Sequence, residues 1–328
     1  MSGQIDVVGI GNAIVDVLSH ADDAAIAGLG LAKGAMTLVD AADADRLYGR
    51  TGPAVESSGG SAANTIAGLA SLGGRGAYVG KVRDDDLGRI FAHDLRALGV
   101  RFDTAPAAAG PGTARCLVLV SPDAQRTMAT YLGACVGLGP DDVDEDLVAA
   151  AKVTYLEGYL WDPPGAKQAF RKAIAAARAA GRRVALSLSD AFCVERWRDE
   201  FLDLLDGSVD ILFANETEIV SLFEASDFDA ALQKARGRVP LAALTRSAKG
   251  SVVLAGDEVH IVDAAPVSRV VDTTGAGDLY AAGFLFGLTR DLPPATCARL
   301  GGIAAAEVIS HVGARPETAL SGLVRGLI

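Results

Sequence analysis

The sequence predicts an α/β protein with a doubly wound, mostly parallel sheet, helices on both of its faces, and a small β-sheet lid set apart from it. Three observations carry this. From residue 140 onward, short apolar runs rich in β-branched residues alternate with helix-length segments, the pattern of successive right-handed crossovers. A hairpin signal, two short strand-like runs joined by SPDAQR at 121–126, has no place in such a sheet. The octet VDTTGAGD at 271–278 runs directly into LYAAGFLFGL, which is apolar nearly all round, as a buried helix is.

Taken in order, residues 5–10 are an apolar run bounded by Gly9 and Gly11 and read as a buried parallel strand. The following GIGNAIVD starts like a dinucleotide fingerprint, but Ile14 stands where the third glycine is needed. What remains is a strand end carrying Asn12 and Asp16. Their plain role is turn chemistry; their functional one is hydrogen bonding to a polyol. Residues 32–55 are irregular, with a short strand at 36–39. In ESSGGSAANTIAGLASLG, Ser61 or the glycines before it cap a helix over 62–72 that ends on Gly73 and Gly74. Gly59 and Gly60 let a ligand approach the backbone there, and Asn64 offers its amide from the first turn.

Residues 77–82 read as a core strand and 85–98 as an amphipathic helix. The hairpin at 116–120 and 127–132 joins the 32–55 segment in a small sheet over the strand ends, where open α/β sheets bind ligands. Strands at 153–156, 183–188 and 209–213 then alternate with helices at 165–180, 195–205 and 216–223. A strand at 241–245, a hairpin of 251–255 with 258–262, and helices at 294–311 and 317–327 complete the chain. The expected division is a large α/β unit, 1–12, 56–104 and 136–328, and a small β lid, 13–55 and 105–135.

The chain has 328 residues, half of them hydrophobic, with 38 glycines and 22% charged side chains, the composition of a compact globule. A formal charge of −11 and the lack of any basic run argue against a nucleic-acid surface. Cys116, Cys135, Cys193 and Cys297 are too scattered for a zinc site or a disulfide framework and are expected to be reduced and buried. No window approaches 18 uninterrupted apolar residues and no leader is visible, so a cytoplasmic protein without membrane contact is expected. GxxxxGK[ST], GxSxG and HExxH are absent, and His20, His93, His260 and His311 are isolated.

The chemistry gathers at the predicted strand ends. Gly275, Ala276 and Gly277 lead into a helix whose first amides carry partial positive charge, a cradle for a phosphate or an oxyanion. Asp278 sets a carboxylate beside it. An anion cradle next to a base suggests phosphoryl transfer to a hydroxyl; the plain alternative is a helix N-terminus with Asp favoured by the dipole. ANETE at 214–218 places Asn215, Glu216 and Glu218 at another strand end. They can cap a helix, and a carboxylate beside a phosphate site can also hold Mg²⁺, often through water. Thr245, Ser247 and Gly250 in TRSAKG offer the small polar contacts that nucleotide phosphates accept.

Together these residues resemble the ribokinase-like, or PfkB, family of sugar and nucleoside kinases along essentially the whole chain. SGGSAANTIAGLASLG at 58–73 and DTTGAGD at 272–278 are similar to its two signature regions, and GIGNAIVD with ARCLVLVSPDAQRTMATYLGA looks most like its adenosine-kinase-like branch. The resemblance implies Asp278 as the catalytic base, with Gly275, Ala276 and Gly277 as the anion hole. Asn12, Asp16, Gly59, Gly60 and Asn64 would bind the acceptor. Asn215, Thr245, Ser247, Gly250 and Gly277 would contact the nucleotide, and Asn215 and Glu218 would organise Mg²⁺ and its waters. Ser247 departs from the family pattern, which has glycine there. Asp272, with backbone groups near Gly313, falls where many members hold a monovalent cation such as K⁺. The expected activity is ATP-dependent phosphorylation of a primary hydroxyl, on adenosine or a related nucleoside, or on a free sugar or sugar acid. A non-catalytic nucleotide or sugar sensor is the alternative from another class. The protein is expected as a monomer or a homodimer.

Overall fold

A computed structural model describes residues 4–123 and 125–327. The hairpin tip at Ala124 and the ends of the expected large unit, 1–3 and 328, lie outside the described residues.

The chain opens with β1 (Ile5–Ile10) and, after only Gly11, Asn12 and Ala13, enters β2 (Ile14–His20). There follow α1 (Asp23–Gly28), β3 (Met36–Leu38), α2 (Ala41–Tyr48), β4 (Ala54–Gly59) and α3 (Ser61–Ser71). Next come β5 (Gly76–Val79), α4 (Asp86–Ala97), β6 (Arg101–Phe102), β7 (Ala114–Val120) and β8 (Arg126–Tyr131). Regular alternation then resumes with α5 (Glu145–Ala150), β9 (Ala151–Glu157), α6 (Pro164–Ala179), β10 (Arg183–Ser187) and α7 (Ala191–Leu205). It continues through β11 (Ile211–Asn215), α8 (Glu216–Leu222), α9 (Phe228–Ala235), β12 (Leu241–Thr245), β13 (Ser251–Ala255) and β14 (Glu258–Val262). The helices α10 (Ala276–Leu288), α11 (Pro294–Val308) and the short α12 (Leu320–Leu323) close the fold.

Among the described residues, nine strands form one sheet in the order β14-β13-β12-β11-β10-β9-β1-β5-β6, and five form another in the order β3-β8-β7-β2-β4. The large sheet is parallel from β6 to β12, with β13 and β14 added antiparallel. Its central strands are apolar without alternation because both faces are covered. On one side α6 and α7 press Phe170 and Phe201 against it, and on the other α3, α10 and α11 supply Ile66, Phe284 and Leu300. The predicted doubly wound architecture with a second, smaller sheet is the one present.

The small sheet has two unlike faces. Val17, Leu117, Leu119 and Ala129 pack under Ile26 of α1 and Leu47 of α2, while Cys116, Val118 and Val120 point the other way, in the rows that contain Asp16. Four elements here were not predicted: β2, α1, α2 and β4. β2 is buried only at alternate positions, and α1 and α2 have six and eight residues, too few to show a period. Both helices nonetheless carry the expected start signal, Asp22 and Asp40 as N-caps. β4 pairs with β2 and crosses the boundary expected between 55 and 56.

The helix predicted over 317–327 shrinks to Leu320–Leu323, because the Glu317 and Thr318 N–H groups donate to Glu307 Oε1 instead of opening a helix. Ser61 is the first residue of α3 and not its cap; Gly60 occupies the cap position. Cys193 is half-buried, whereas the other three cysteines are buried.

Candidate active site

Of the predicted site residues, Asn12, Asn215 and Thr245 lie at or just past the carboxyl ends of parallel strands, Asp16 and Gly59 lie on the small sheet, Gly60 and Asn64 at the start of α3, and Asp272 to Asp278 in the passage into α10. Gly275 stands at the N-cap of α10 with φ 76, and no side chain caps the helix; Ala276 N donates to Thr273 O at 3.2 Å, and the helix end carries the partial positive charge that suits an anion. A Cβ at Gly275 would come within 2.9 Å of Ala314 Cα and Cβ, so the position needs glycine for space as well as for its left-handed backbone.

Asp278 is held from both sides. Ser61 Oγ donates to its Oδ1 at 2.6 Å and Asn64 Nδ2 to its Oδ2 at 3.0 Å, so α3 and α10 meet at this carboxylate. Burial raises its pKa, while those two hydrogen bonds and the charge of Arg315 oppose the shift. Asn64 is buried and its Oδ1 has no partner, leaving an acceptor beside Asp278.

The acceptor side is built around two further carboxylates. Asp16, in the middle of β2, is pushed up to about 6 by burial, against the pull of Arg315 and Arg126. Glu157, at the end of β9, is buried and pushed up to about 7, again mainly by burial. Its Oε1 accepts from Asn12 N at 3.2 Å and Asn12 Nδ2 at 2.8 Å, and its Oε2 from Ala62 N at 2.8 Å. Asn12, expected to face a polyol, therefore spends its amide on Glu157.

Gly59 and Gly60, expected to admit a ligand, pack closely on the protein itself. A Cβ at Gly59 would sit 2.3 Å from Asp16 Oδ2, and one at Gly60, where φ is 93, 2.2 Å from Asn12 O. The space they leave is filled by the protein itself, which lets β4 press Asp16 and Asn12 into place.

On the opposite side, Asn215 and Glu218 form a reciprocal cap at the start of α8. Asn215 Oδ1 accepts from Glu218 N at 2.9 Å, Glu218 Oε2 accepts from Asn215 N at 2.9 Å, and Asn215 Nδ2 donates to Glu218 Oε1 at 2.6 Å. Glu218 is pushed up to about 7 by burial, and the nearby charges of Asp190 and Asp278 add to the shift. Negative charge from Asp190 and Asp278 thus bears on Glu218, and a divalent metal would offset it. Among the described residues no cluster of three or more His, Cys, Asp or Glu side chains that could hold a metal is formed.

Thr245 lies opposite Asn215 in the β11–β12 register, and Ser247 and Gly250 follow it in the next turn. Ser247 has φ 52, a left-handed conformation that explains why glycine is usual there. Ser247→Gly is expected to leave stability unchanged or raise it by up to about 1 kcal/mol, and Ser247→Val to lower it by about 1–2 kcal/mol, in denaturant titrations. Asp272 accepts from Thr274 N at 3.0 Å and Gly313 N at 2.9 Å and pairs with Arg126 from β8, so a monovalent cation there would compete with a guanidinium.

Asp16, Glu157 and Glu218 give the folded chain a distinct pH dependence. Each holds its proton to a higher pH folded than unfolded, so between about pH 4 and 7 the unfolded state releases protons that the folded state keeps. Stability therefore falls as pH rises through that window. The melting temperature of the ligand-free protein is expected to decline from pH 5 to about pH 8 in differential scanning fluorimetry. A rise over the same range would mean that these carboxylates are not buried as described.

Glu157, Arg126 and Arg315 are site residues the sequence reading missed. The signal available for Glu157 was a carboxylate closing a strand whose other residues, apart from Lys152, are buried. Nothing local marks Arg315.

A helix N-terminus without a side-chain cap beside a buried carboxylate is compatible with phosphoryl transfer, and the protein is a phosphotransferase with an alcohol group as acceptor. It belongs to the pfkB family of carbohydrate kinases, whose family model matches residues 30–319. Sugar and nucleoside kinases both occur among similar proteins. A solved structure of adenosine kinase from Sinorhizobium meliloti is 54% identical with a TM-score of 0.92, covering 99% of this chain and 100% of that one. A probable sugar kinase from Rhizobium etli CFN 42 is 51% identical with a TM-score of 0.93, covering 99% of each chain. The probable fructokinase-6, chloroplastic, of Arabidopsis thaliana is 31% identical over 245 residues, which is 71% of this chain and 63% of that protein. The ribokinase-like fold implied by the resemblance is thus the fold present. Membership implies ATP as donor and, in general, a divalent metal. Among the described residues, no helix is long and apolar enough to cross a membrane.

Proposed function

We propose that the protein is an ATP-dependent kinase that phosphorylates the primary hydroxyl of a nucleoside of the adenosine kind. The observation that carries the nucleoside is the face of the small sheet that includes Asp16. Asp16, Cys116, Thr130 and Leu38 align across β2, β7, β8 and β3, and the next row is Leu18, Val118, Met128 and Met36. An apolar band so close to the carboxylate that would grip ribose hydroxyls suits a base. A free sugar, with hydroxyls on every side, gains nothing from it. Leu38 and Met36 are 59% and 52% exposed, and burying about 100 Å² of such surface is worth about 2.5 kcal/mol. Phe192, at the start of α7, is 75% exposed.

In this reading Asp278 takes the hydroxyl proton, with Ser61 and Asn64 fixing its two oxygens. The amides of Gly275, Ala276 and Gly277 meet the charge on the transferring phosphoryl group. Asp16 holds the ribose hydroxyls and Thr245, Ser247 and Gly250 the donor's phosphates. Glu218 with Asn215 would hold Mg²⁺ through its waters, and the metal would offset phosphate charge.

The test is kcat/KM, followed by ADP release with Mg²⁺ and ATP, for adenosine, ribose, fructose and 2-keto-3-deoxygluconate. Adenosine is expected to exceed each sugar by at least about 10², in keeping with the apolar burial above. A sugar or sugar acid that matches or exceeds adenosine overturns the nucleoside; no turnover with any acceptor favours a binding role.

A further inference from the structure

Residues 309–316, between α11 and α12, form a strap that touches both sides of the site. Val271 N and Asp272 N donate to Ile309 O at 2.8 and 3.3 Å, Gly313 N donates to Asp272 Oδ2, and Ala314 fills the space beside Gly275. From this strap Arg315 reaches across to the acceptor corner. Its Nε and Nη2 donate to Ser58 O at 3.1 and 2.8 Å, Nη2 also to Ser58 Oγ at 3.1 Å, and Nη1 to Ala63 O at 3.0 Å. Those carbonyls flank the turn of Gly59, Gly60 and Ser61 that joins β4 to α3. The planar fork is therefore fixed by backbone acceptors, a geometry that lysine cannot reproduce.

None of the hydrogen bonds of this guanidinium goes to a carboxylate, yet its charge bears on both Asp16 and Asp278. Burial lowers its pKa to about 10, so it is charged at neutral pH.

We propose that Arg315 is a positioning residue for phosphoryl transfer: it locks the Ser58–Ala63 corner, and with it Ser61 and Asn64, against the anion cradle, and sets a positive charge beside Asp16 and Asp278. The proposal rests on Asp278 being the base. It couples two elements that the sequence holds more than 200 positions apart, the corner that positions the acceptor and the strap that backs the phosphate turn.

A residue that merely braced the fold would lower stability and leave the pH profile where it was. Arg315 as proposed favours the ionised forms of both carboxylates, so losing its charge raises their pKa and moves the acid limb of activity to higher pH. The other charged groups near Asp278 are Asp16, Glu157 and Glu218, with the buried phenols of Tyr155 and Tyr159 pushed up and neutral in this range. Around Arg315 the remaining neighbours are Tyr78, likewise pushed up, and Asp94. Asp16 is also under the charge of Arg126, whereas at Asp278 the positive charge is that of Arg315, so the shift on losing Arg315 is expected to be read chiefly at Asp278.

Arg315→Met and Arg315→Lys are to be compared with the parent from pH 5 to 9, with kcat/KM and both KM values measured on the best acceptor. In Arg315→Met the acid limb is expected to move up by about one pH unit. The acceptor KM should rise about tenfold while the ATP KM stays within about twofold. Arg315→Lys keeps the charge but not the fork, so it should retain the parent acid limb and share the acceptor KM rise.

An unmoved acid limb in Arg315→Met, or a rise confined to the ATP KM, overturns the proposal. If Arg315→Met does not fold, Arg315→Lys decides: an unchanged acceptor KM overturns the positioning role. Asp278→Asn separates the layers. An active Asp278→Asn removes the base on which the proposal rests, whereas an inactive one with an unmoved Arg315→Met profile overturns the Arg315 role alone.

Discussion

Asp278→Asn is expected to lower kcat by roughly 10² to 10⁴, the contribution of a positioned base, with little change in either KM. The substitution is nearly isosteric, and the new side-chain oxygen can still accept from Ser61 Oγ, so the meeting of α3 and α10 survives. The other side suffers. The introduced amide would turn its NH₂ group toward Asn64 Nδ2, which lies 3.0 Å from Asp278 Oδ2 in the parent, and two donors repel there. What disappears outright is the ability to take a proton. Steady-state kinetics with saturating Mg²⁺ and ATP check this. Turnover within tenfold of the parent would take Asp278 out of the chemistry.

Gly275→Ala is expected to be nearly as damaging for a different reason. A methyl group there meets Ala314 Cα and Cβ at 2.9 Å and Ala314 O at 3.1 Å, and φ 76 is a backbone that alanine adopts only under strain. The cost to stability should be about 1–3 kcal/mol. Relief of the clash must move either the strap or the start of α10, and both hold the phosphate cradle. Because small misplacements of a reacting group are costly, kcat should fall by about 10² or more, with the ATP KM rising as well. Urea denaturation with parallel kinetics separates the two effects. A variant that loses stability but keeps kcat would show that the first-turn amides do not carry the reaction.

The elements legible from sequence were those whose pattern is local and complete. β12, β13 and β14 match their expected ranges residue for residue, since the strands are apolar and the Gly256-Asp257 turn sets their spacing. α10 was legible because ten consecutive apolar residues follow one turn. β2 is not legible in the same way, because only alternate residues are buried and Asn12 and Asp16 interrupt the apolar run of GIGNAIVD.

The proposed site divides the same way. The octet and the NETE segment announce themselves because the residues that act lie within a few positions of one another. Glu157 acts on Asn12 across 145 positions and Arg315 on Ser58 across 257, and no short-range pattern encodes a contact of that span. The glycines at 59 and 60 were read as room for a ligand. Their neighbours across the fold, Asp16 and Asn12, show that they make room for the protein.

The three-residue passage from β1 to β2 has a mechanical consequence. The small sheet is joined to the rest of the chain at two tight crossings. At one, Gly60 packs against Asn12 O; at the other, Gly133 packs so closely on Gly112 O that a Cβ would come within 2.2 Å of it. The small sheet is tied to the rest at further points as well: Arg126 of β8 pairs with Asp272, Ser58 N donates to Asp94 Oδ2 at 2.8 Å, and Arg315 grips Ser58 O. Asp16 on β2 is therefore set relative to Asp278 by several independent ties and not by the β1–β2 passage alone.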